Sequence, residues 1–175
     1  MAVAREIGSP ARRASAVLGT AAFLVLAPGT VVGYVPWLIS HWQVHSPFPG
    51  FMLLRLVGIV LILAGILVLL ECFTRFAAQG IGTPAPVFPT KQLIVTGAYR
   101  FVRNPMFVAV LAILLGQAMF FGNVGIIIWA ACAWIVAALF VIGYEEPTMR
   151  RTYGSDYEAY RARVPRWIPR LRPWS

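Results

Sequence analysis

The chain has 175 residues, of which 59% are hydrophobic and 12% are charged, and its formal net charge is +9. Because soluble domains carry about 25% charged residues, the composition excludes an ordinary soluble domain and predicts an integral membrane protein. The basic excess then indicates cytoplasmic loops facing anionic lipid headgroups, and not nucleic acid. The Cys and His residues have no metal-ligand pattern, so we predict no metal site.

Four apolar segments are predicted to cross the bilayer as helices, which makes residues 1–175 a single all-α membrane domain. A helix needs about 20 apolar residues to cross the hydrocarbon core. The spans are approximately 15–38, 52–72, 106–121 and 124–144. We interpret the first as a retained helix kinked near Pro28-Gly29, and not as a signal peptide, because its apolar stretch is long for a signal. Gly122-Asn123 is a turn pair that separates the last two spans.

The charges of the loops predict the orientation of these spans. Basic residues lie in the N-terminal segment, in the 73–105 loop and in the C-terminal tail, whereas the 39–51 loop and the Gly122 turn contain no Lys or Arg. The positive-inside rule therefore predicts that both termini are cytoplasmic, and we expect the protein in the cell inner membrane. The segments 78–105 and 145–175, which carry the polar motifs, then share the cytoplasmic face.

The C-terminal segment is predicted to contain a cytoplasmic amphipathic helix over about Pro147–Arg163. Tyr153, Tyr157 and Tyr160 recur at helical spacing and would share one face. The helix should end before Pro165. Its arginines would be available to lipid headgroups.

Two adjacent carboxylates, Glu145 and Glu146, are predicted to lie where the fourth span leaves the membrane. Ionisable residues at that depth are costly and are often functional. A structural interpretation is also open, since acids before Pro147 would favour the dipole of the following helix. That interpretation explains one carboxylate better than two, because neighbouring carboxylates repel each other unless a cation or hydroxyl groups lie between them.

Arg100 and Arg103 precede Asn104-Pro105, where the third span should begin. Asn as helix cap and Pro in the first turn account for the local sequence. The same helix end, beside two guanidiniums, would also suit a carboxylate or a phosphate, and pairing of the arginines with headgroups is an alternative. At the end of the second span, Glu71 is spaced to pair with Arg75, although it could instead face a cytoplasmic pocket.

Four motifs in this order resemble the isoprenylcysteine carboxyl methyltransferase family and its relatives among the phospholipid N-methyltransferases. The family pattern is Arg-His-Pro-x-Tyr at the start of a span, then Glu-Glu after a helical hairpin, an aromatic-Gly-x-x-Tyr-x-x-Tyr segment and a Val-Pro-Arg-x-Ile-Pro ending. This chain has RNPMF at 103–107, EE at 145–146, YGSDYEAY at 153–160 and VPRWIP at 164–169. The similarity covers roughly residues 80–170, and Asn104 and Phe107 replace the His and the Tyr of the family pattern.

The resemblance implies that S-adenosylmethionine is the methyl donor and that a lipid-like acceptor enters from the bilayer. By analogy with the family, the cofactor-binding residues would be Val95, Gly97, Tyr99, Arg103, Asn104, Pro105, Phe107, Glu145, Glu146, Tyr157 and Tyr160.

Methyl transfer from a sulfonium depends mostly on positioning of the reactants, so the lack of a nucleophile triad is expected. Arg103 would orient a carboxylate acceptor, and Glu146 would take the proton from an amine acceptor. These two are the predicted catalytic residues of a methyltransferase acting on a hydrophobic acceptor at the cytoplasmic face. The alternatives are an NADPH-dependent membrane reductase of the sterol type, which the sequence after Pro105 disfavours, and a non-enzymatic membrane scaffold of the same fold. The acceptor's identity and the oligomeric state stay open.

Overall fold

The computed structural model describes residues 26–46, 50–79, 93 and 95–174, and for residues 76–79 it describes the backbone alone. Residues 15–25 of the predicted first span therefore lie outside the described residues, as do residues 80–92 and 94 of the predicted 78–105 segment.

All the regular elements in the described part of the chain are helical, in agreement with the predicted all-α class. The helices are α1 (Leu26–Ser40), α2 (Phe51–Gln79), α3 (Pro105–Phe121), α4 (Val124–Phe140), α5 (Glu146–Tyr153) and α6 (Ser155–Arg163), and a 3₁₀ turn, Gly97–Arg100, precedes α3. Two stretches, Phe51–Arg75 and Val124–Tyr153, are long and apolar enough to cross a membrane. Helices α1 and α3 are apolar and shorter.

Helices α2 and α3 pack with their backbones almost in contact. A Cβ atom on Gly58 would lie 2.6 Å from the carbonyl oxygen of Gly116, and a Cβ on Gly116 would lie 2.6 Å from that of Gly58. Small residues at a helix crossing are typical of membrane proteins, because close approach increases van der Waals contact. The opposite face of α2 is covered with exposed side chains such as Leu53 and Leu67, each 68% exposed, which suits contact with lipid.

The predicted turn between the third and fourth spans is confirmed at Gly122-Asn123. Gly122 ends α3 with φ +65°, a left-handed conformation that glycine adopts without steric cost. The Asn123 side chain caps α4 by accepting a hydrogen bond of 2.8 Å from the Gly125 N–H. His45 of the preceding loop donates its N–H to the Phe121 carbonyl at 2.9 Å, so this loop and the turn lie at the same end of the molecule.

Helix α4 continues into α5 through a π-turn, Val141–Glu145, in which the Glu146 N–H donates to the Val141 carbonyl. Pro147 has no N–H to donate, and the wider turn lets the helix pass this position without stopping. Glu145 and Glu146 therefore lie inside one long helix, and the expectation that they mark a separate helix start is wrong. A similar π-turn, Thr30–Tyr34, precedes Pro36 in α1.

The C-terminal helix predicted over Pro147–Arg163 is two helices, α5 and α6, separated at Gly154. Gly154 has φ +52° and closes α5 by donating its N–H to the Arg150 carbonyl at 3.0 Å. The predicted shared face is confirmed, since Tyr157 and Tyr160 are buried and Tyr153 packs against them. The break matters because it sets the direction in which α6 leads the chain back across the end of α3.

Candidate functional site

A buried ion pair joins the loop before α3 to the beginning of α5. The Arg103 Nη1 atom donates to Glu146 Oε1 at 2.8 Å, and the two side chains are only 9% and 6% exposed. The same Nη1 also donates to the Tyr157 hydroxyl at 3.3 Å. Three of the predicted site residues, from three different motifs, thus lie in one network. Buried charges of this kind are tolerated because they are paired and hydrogen-bonded.

A second guanidinium, that of Arg166, reaches the same carboxylate. Its Nε donates to Glu146 Oε1 at 2.6 Å and its Nη2 donates to Oε2 at 2.9 Å, the two-pronged geometry that Arg makes with a carboxylate. The hydrogen bond to Glu146 raises the pKa of Arg166 above its ordinary value. Arg166 is not among the site residues predicted from the sequence. Its only signal was the VPRWIP motif, whose spacing does not indicate a return to Glu146.

Arg166 belongs to the C-terminal strap, which we define as residues 164–174. The strap lies along the segment 100–104 and is tied to it by backbone hydrogen bonds. These bonds are Arg103 N–H to Pro165 O at 2.9 Å, Arg170 N–H to Phe101 O at 3.0 Å and Trp174 N–H to Arg100 O at 3.0 Å. The Trp167 ring also packs on Trp134 of α4, with 4.5 Å between the ring centroids. The strap therefore forms part of the wall that holds Arg103.

Asn104 occupies the cap position of α3, and Pro105 is in the first turn, as predicted, but the side chain of Asn104 makes no capping hydrogen bond. Its Nδ2 donates instead to the Arg166 carbonyl at 3.1 Å, and the residue is 7% exposed. The capping expectation is wrong because the strap brings a carbonyl acceptor within reach of the amide. Asn104 thus fastens the strap to the start of α3.

A group of buried phenols lies beside the ion pair. The Tyr160 hydroxyl donates to the Tyr99 carbonyl at 2.7 Å. Burial raises the pKa of the Tyr99 phenol well above its ordinary value, and the nearby Cys72 and Glu145 groups raise it further. Burial also raises the pKa of Tyr160, which the Arg103 charge opposes. The Glu145 charge raises the pKa of both phenols, and no ion pair or hydrogen bond joins its side chain to the described residues.

Gly97 and Val95, two further predicted site residues, contact different parts of the structure. Gly97 has φ +57°, and a Cβ atom there would overlap the Glu71 carboxylate and the Arg75 guanidinium. The predicted pairing of Glu71 with Arg75 is confirmed. Val95 packs against the buried cluster that contains Tyr157 and Tyr160.

Phe107 lies apart from the polar network, on the α3 face that meets α4. Its ring is 6.5 Å from that of Phe140, which in turn is 5.4 Å from the ring of Tyr144. Phe140 and Tyr144 are 38% and 48% exposed. The three rings form an aromatic row from the first turns of α3 to the outer surface of the helices.

One donor in the network has no partner among the described residues. Arg103 Nε is buried and makes no hydrogen bond to that part of the chain. A buried donor without an acceptor costs about 1–3 kcal/mol, and such groups commonly have a functional explanation. An anionic or carbonyl acceptor on a ligand would satisfy it.

These features define a helical membrane protein with a polar site assembled at one end of the α3–α4 hairpin. The family model for phospholipid methyltransferases matches residues 53–156, more than half of the chain. The chain belongs to this family, which includes isoprenylcysteine carboxyl methyltransferase-like proteins, and the resemblance read from the motifs is confirmed. No curated protein matches the chain. The matched region ends within α6, so the strap with Arg166 lies beyond it.

Proposed function

We propose that the protein is a membrane methyltransferase that uses S-adenosylmethionine to methylate a hydrophobic or lipid-like acceptor at the cytoplasmic face. Methyltransferases of this family generally use that donor. The main support for the proposal is the buried hydrogen-bond network of Arg103, Glu146 and Tyr157 at one end of the hairpin. We further propose that the protein crosses the cell inner membrane four times and that both of its termini are cytoplasmic. The concentration of Arg residues at this end of the hairpin supports this orientation.

The residues present suit the charged groups of the donor. S-adenosylmethionine carries a carboxylate, an ammonium group and a sulfonium. The buried Arg103 Nε, which has no partner among the described residues, would donate a hydrogen bond to the carboxylate of the donor molecule. The Glu145 carboxylate, which the described residues leave without a cation, would balance the positive charge. When bound, the donor supplies an electrophilic methyl group.

The two carboxylates are suited to different tasks. Both oxygens of Glu146 accept hydrogen bonds from guanidiniums, which strongly favours the ionised, fully engaged form. Glu146, the proton acceptor predicted from the sequence, is therefore better placed to hold Arg103. We assign proton acceptance, where the acceptor is an amine, to Glu145. Where the acceptor is a carboxylate it is already ionised at neutral pH, and orientation by Arg103 is sufficient.

The acceptor is proposed to be hydrophobic because of the aromatic row. Phe107, Phe140 and Tyr144 extend an apolar surface from beside Pro105 to the exposed side of the hairpin. A long apolar chain lying along these rings would keep its own surface away from water. Its reactive end would then be directed towards the polar network of Arg103, Glu146 and Tyr157.

The proposal is tested by ligand-dependent stability of the purified protein in detergent. S-adenosylhomocysteine should raise the Tm, since a ligand at about 100 times its Kd stabilises by about 2.7 kcal/mol. Arg103→Gln should remove this shift, whereas Arg151→Gln, a change at an exposed residue of α5, should keep it. A shift from NADPH without one from S-adenosylhomocysteine would indicate a reductase, and no shift from either at millimolar concentration would indicate a scaffold.

A further inference from the structure

We propose that Arg166 is a positioning residue of the methyltransferase site, and that it acts on the ligand-binding Arg103 through Glu146. This inference rests on the proposed function. Arg166 makes two of the three hydrogen bonds that the described residues donate to the Glu146 carboxylate, at 2.6 and 2.9 Å, and Arg103 makes the third, at 2.8 Å.

The contacts form a closed ring that fixes Arg103 from two sides. Arg103 donates its backbone N–H to Pro165 and its Nη1 to Glu146, while Glu146 is gripped by Arg166, the residue next to Pro165. Asn104 closes the ring by donating to the Arg166 carbonyl at 3.1 Å. The segment that contains Arg103 and Asn104 thus holds the backbone of Arg166, and the Arg166 side chain in turn positions Arg103 through Glu146. Loss of the Arg166 side chain would release Glu146 Oε2 and let the carboxylate turn.

The charges give Arg166 a purpose beyond rigidity. A lone Glu146 beside Arg103 would neutralise it, and Arg103 would attract a ligand anion only weakly. With Arg166 present, two guanidiniums share one carboxylate, and these three side chains carry a net charge of one positive unit. The unpartnered Nε of Arg103 then belongs to a guanidinium whose charge is only partly offset. We therefore expect Arg166 to strengthen binding of the donor's carboxylate from a position on the far side of Glu146.

An arginine is needed here because the interaction is two-pronged. Nε and Nη2 address the two carboxylate oxygens separately, which a planar guanidinium can do and a single ammonium cannot. Lys at position 166 would keep the charge and lose the fixed geometry, so it should restore part of the binding. Gln would lose both.

The test is a double-mutant cycle on affinity for S-adenosylhomocysteine, measured by calorimetry on the full-length protein in detergent. Arg166→Gln should weaken binding at least tenfold, and Arg166→Lys should recover part of that loss. The control Arg151→Gln, a change at an exposed residue of α5, should bind as the wild type does. Because Arg166 acts through Glu146, the double variant Glu146→Gln/Arg166→Gln should bind no more weakly than Glu146→Gln alone.

Two results would overturn the inference in a wild-type protein that binds the ligand. One is an affinity of Arg166→Gln within twofold of the wild type. The other is a double variant whose loss of affinity equals the product of the losses in the two single variants. If Arg166→Gln does not yield a monodisperse protein, Arg166→Lys decides alone, and wild-type affinity in that variant would refute the need for the two-pronged contact. Absence of ligand binding by the wild type would instead count against the proposed function.

Discussion

Replacing Glu146 with Gln removes the carboxylate that pairs with both the Arg103 and the Arg166 guanidinium. The Glu146 and Arg103 side chains are 6% and 9% exposed, so the positive charge left behind is buried. Removing one partner of a buried pair costs about 3–5 kcal/mol. Gln retains one carbonyl acceptor, which places the expected loss near the lower end, at about 3 kcal/mol. For a chain of this size that corresponds to a fall in Tm on the order of 6–12 °C.

The neighbouring carboxylate supplies the matched control. Glu145→Gln makes the same chemical change one residue earlier, at a side chain without an ion pair among the described residues. Its Tm in the absence of ligand should stay within about 2 °C of the wild type, since changes away from such networks usually cost under about 0.5 kcal/mol. Its affinity for S-adenosylhomocysteine should fall. Thermal scans of both variants, with and without ligand, test this, and an equal loss of ligand-free stability in the two would refute the division of roles.

Two further predictions concern the turn before α3 and the orientation of the chain. Gly97→Ala should lower the Tm by about 2–8 °C, because a left-handed non-glycine residue costs about 1–2 kcal/mol and its Cβ would displace the Glu71–Arg75 pair. The control is Gly33→Ala, where an added Cβ meets no atom within 4 Å. Equal Tm values for the two variants would refute the steric argument. Single cysteines replacing Gln43 and Ser155 in a background without Cys72 and Cys132 should be labelled from opposite faces of membrane vesicles, and labelling from one face would contradict the four-span topology.

Features with a local cause were predictable from the sequence. The Gly122-Asn123 turn, the pairing of Glu71 with Arg75 and the shared face of Tyr157 and Tyr160 all depend on residues within one or two helical turns of each other. Hydrophobicity and turn chemistry act at that range. The same is true of α2, whose apolar stretch was predicted over 52–72 and lies within Phe51–Gln79.

The path of the chain after the fourth span was not predictable. Pro147 suggested a helix boundary, but the π-turn before it keeps the helix continuous, while Gly154, which was not singled out, is where the chain bends. That bend sends the strap back to the start of α3, and only then does Arg166 reach Glu146 and Asn104 reach the Arg166 carbonyl. No spacing rule relates residues 20 or 62 positions apart in this way.

Methyl transfer to a hydrophobic acceptor is tested most directly with an isotope-labelled methyl donor. Purified protein in detergent is incubated with labelled S-adenosylmethionine and a total membrane lipid extract, and the lipids are then analysed by mass spectrometry. We expect a lipid-soluble species that gains one labelled methyl group with the wild-type protein and with the exposed Arg151→Gln control, and that does not form with Arg103→Gln. Label that appears in no lipid-soluble species, from a protein that binds S-adenosylhomocysteine, would contradict the proposal.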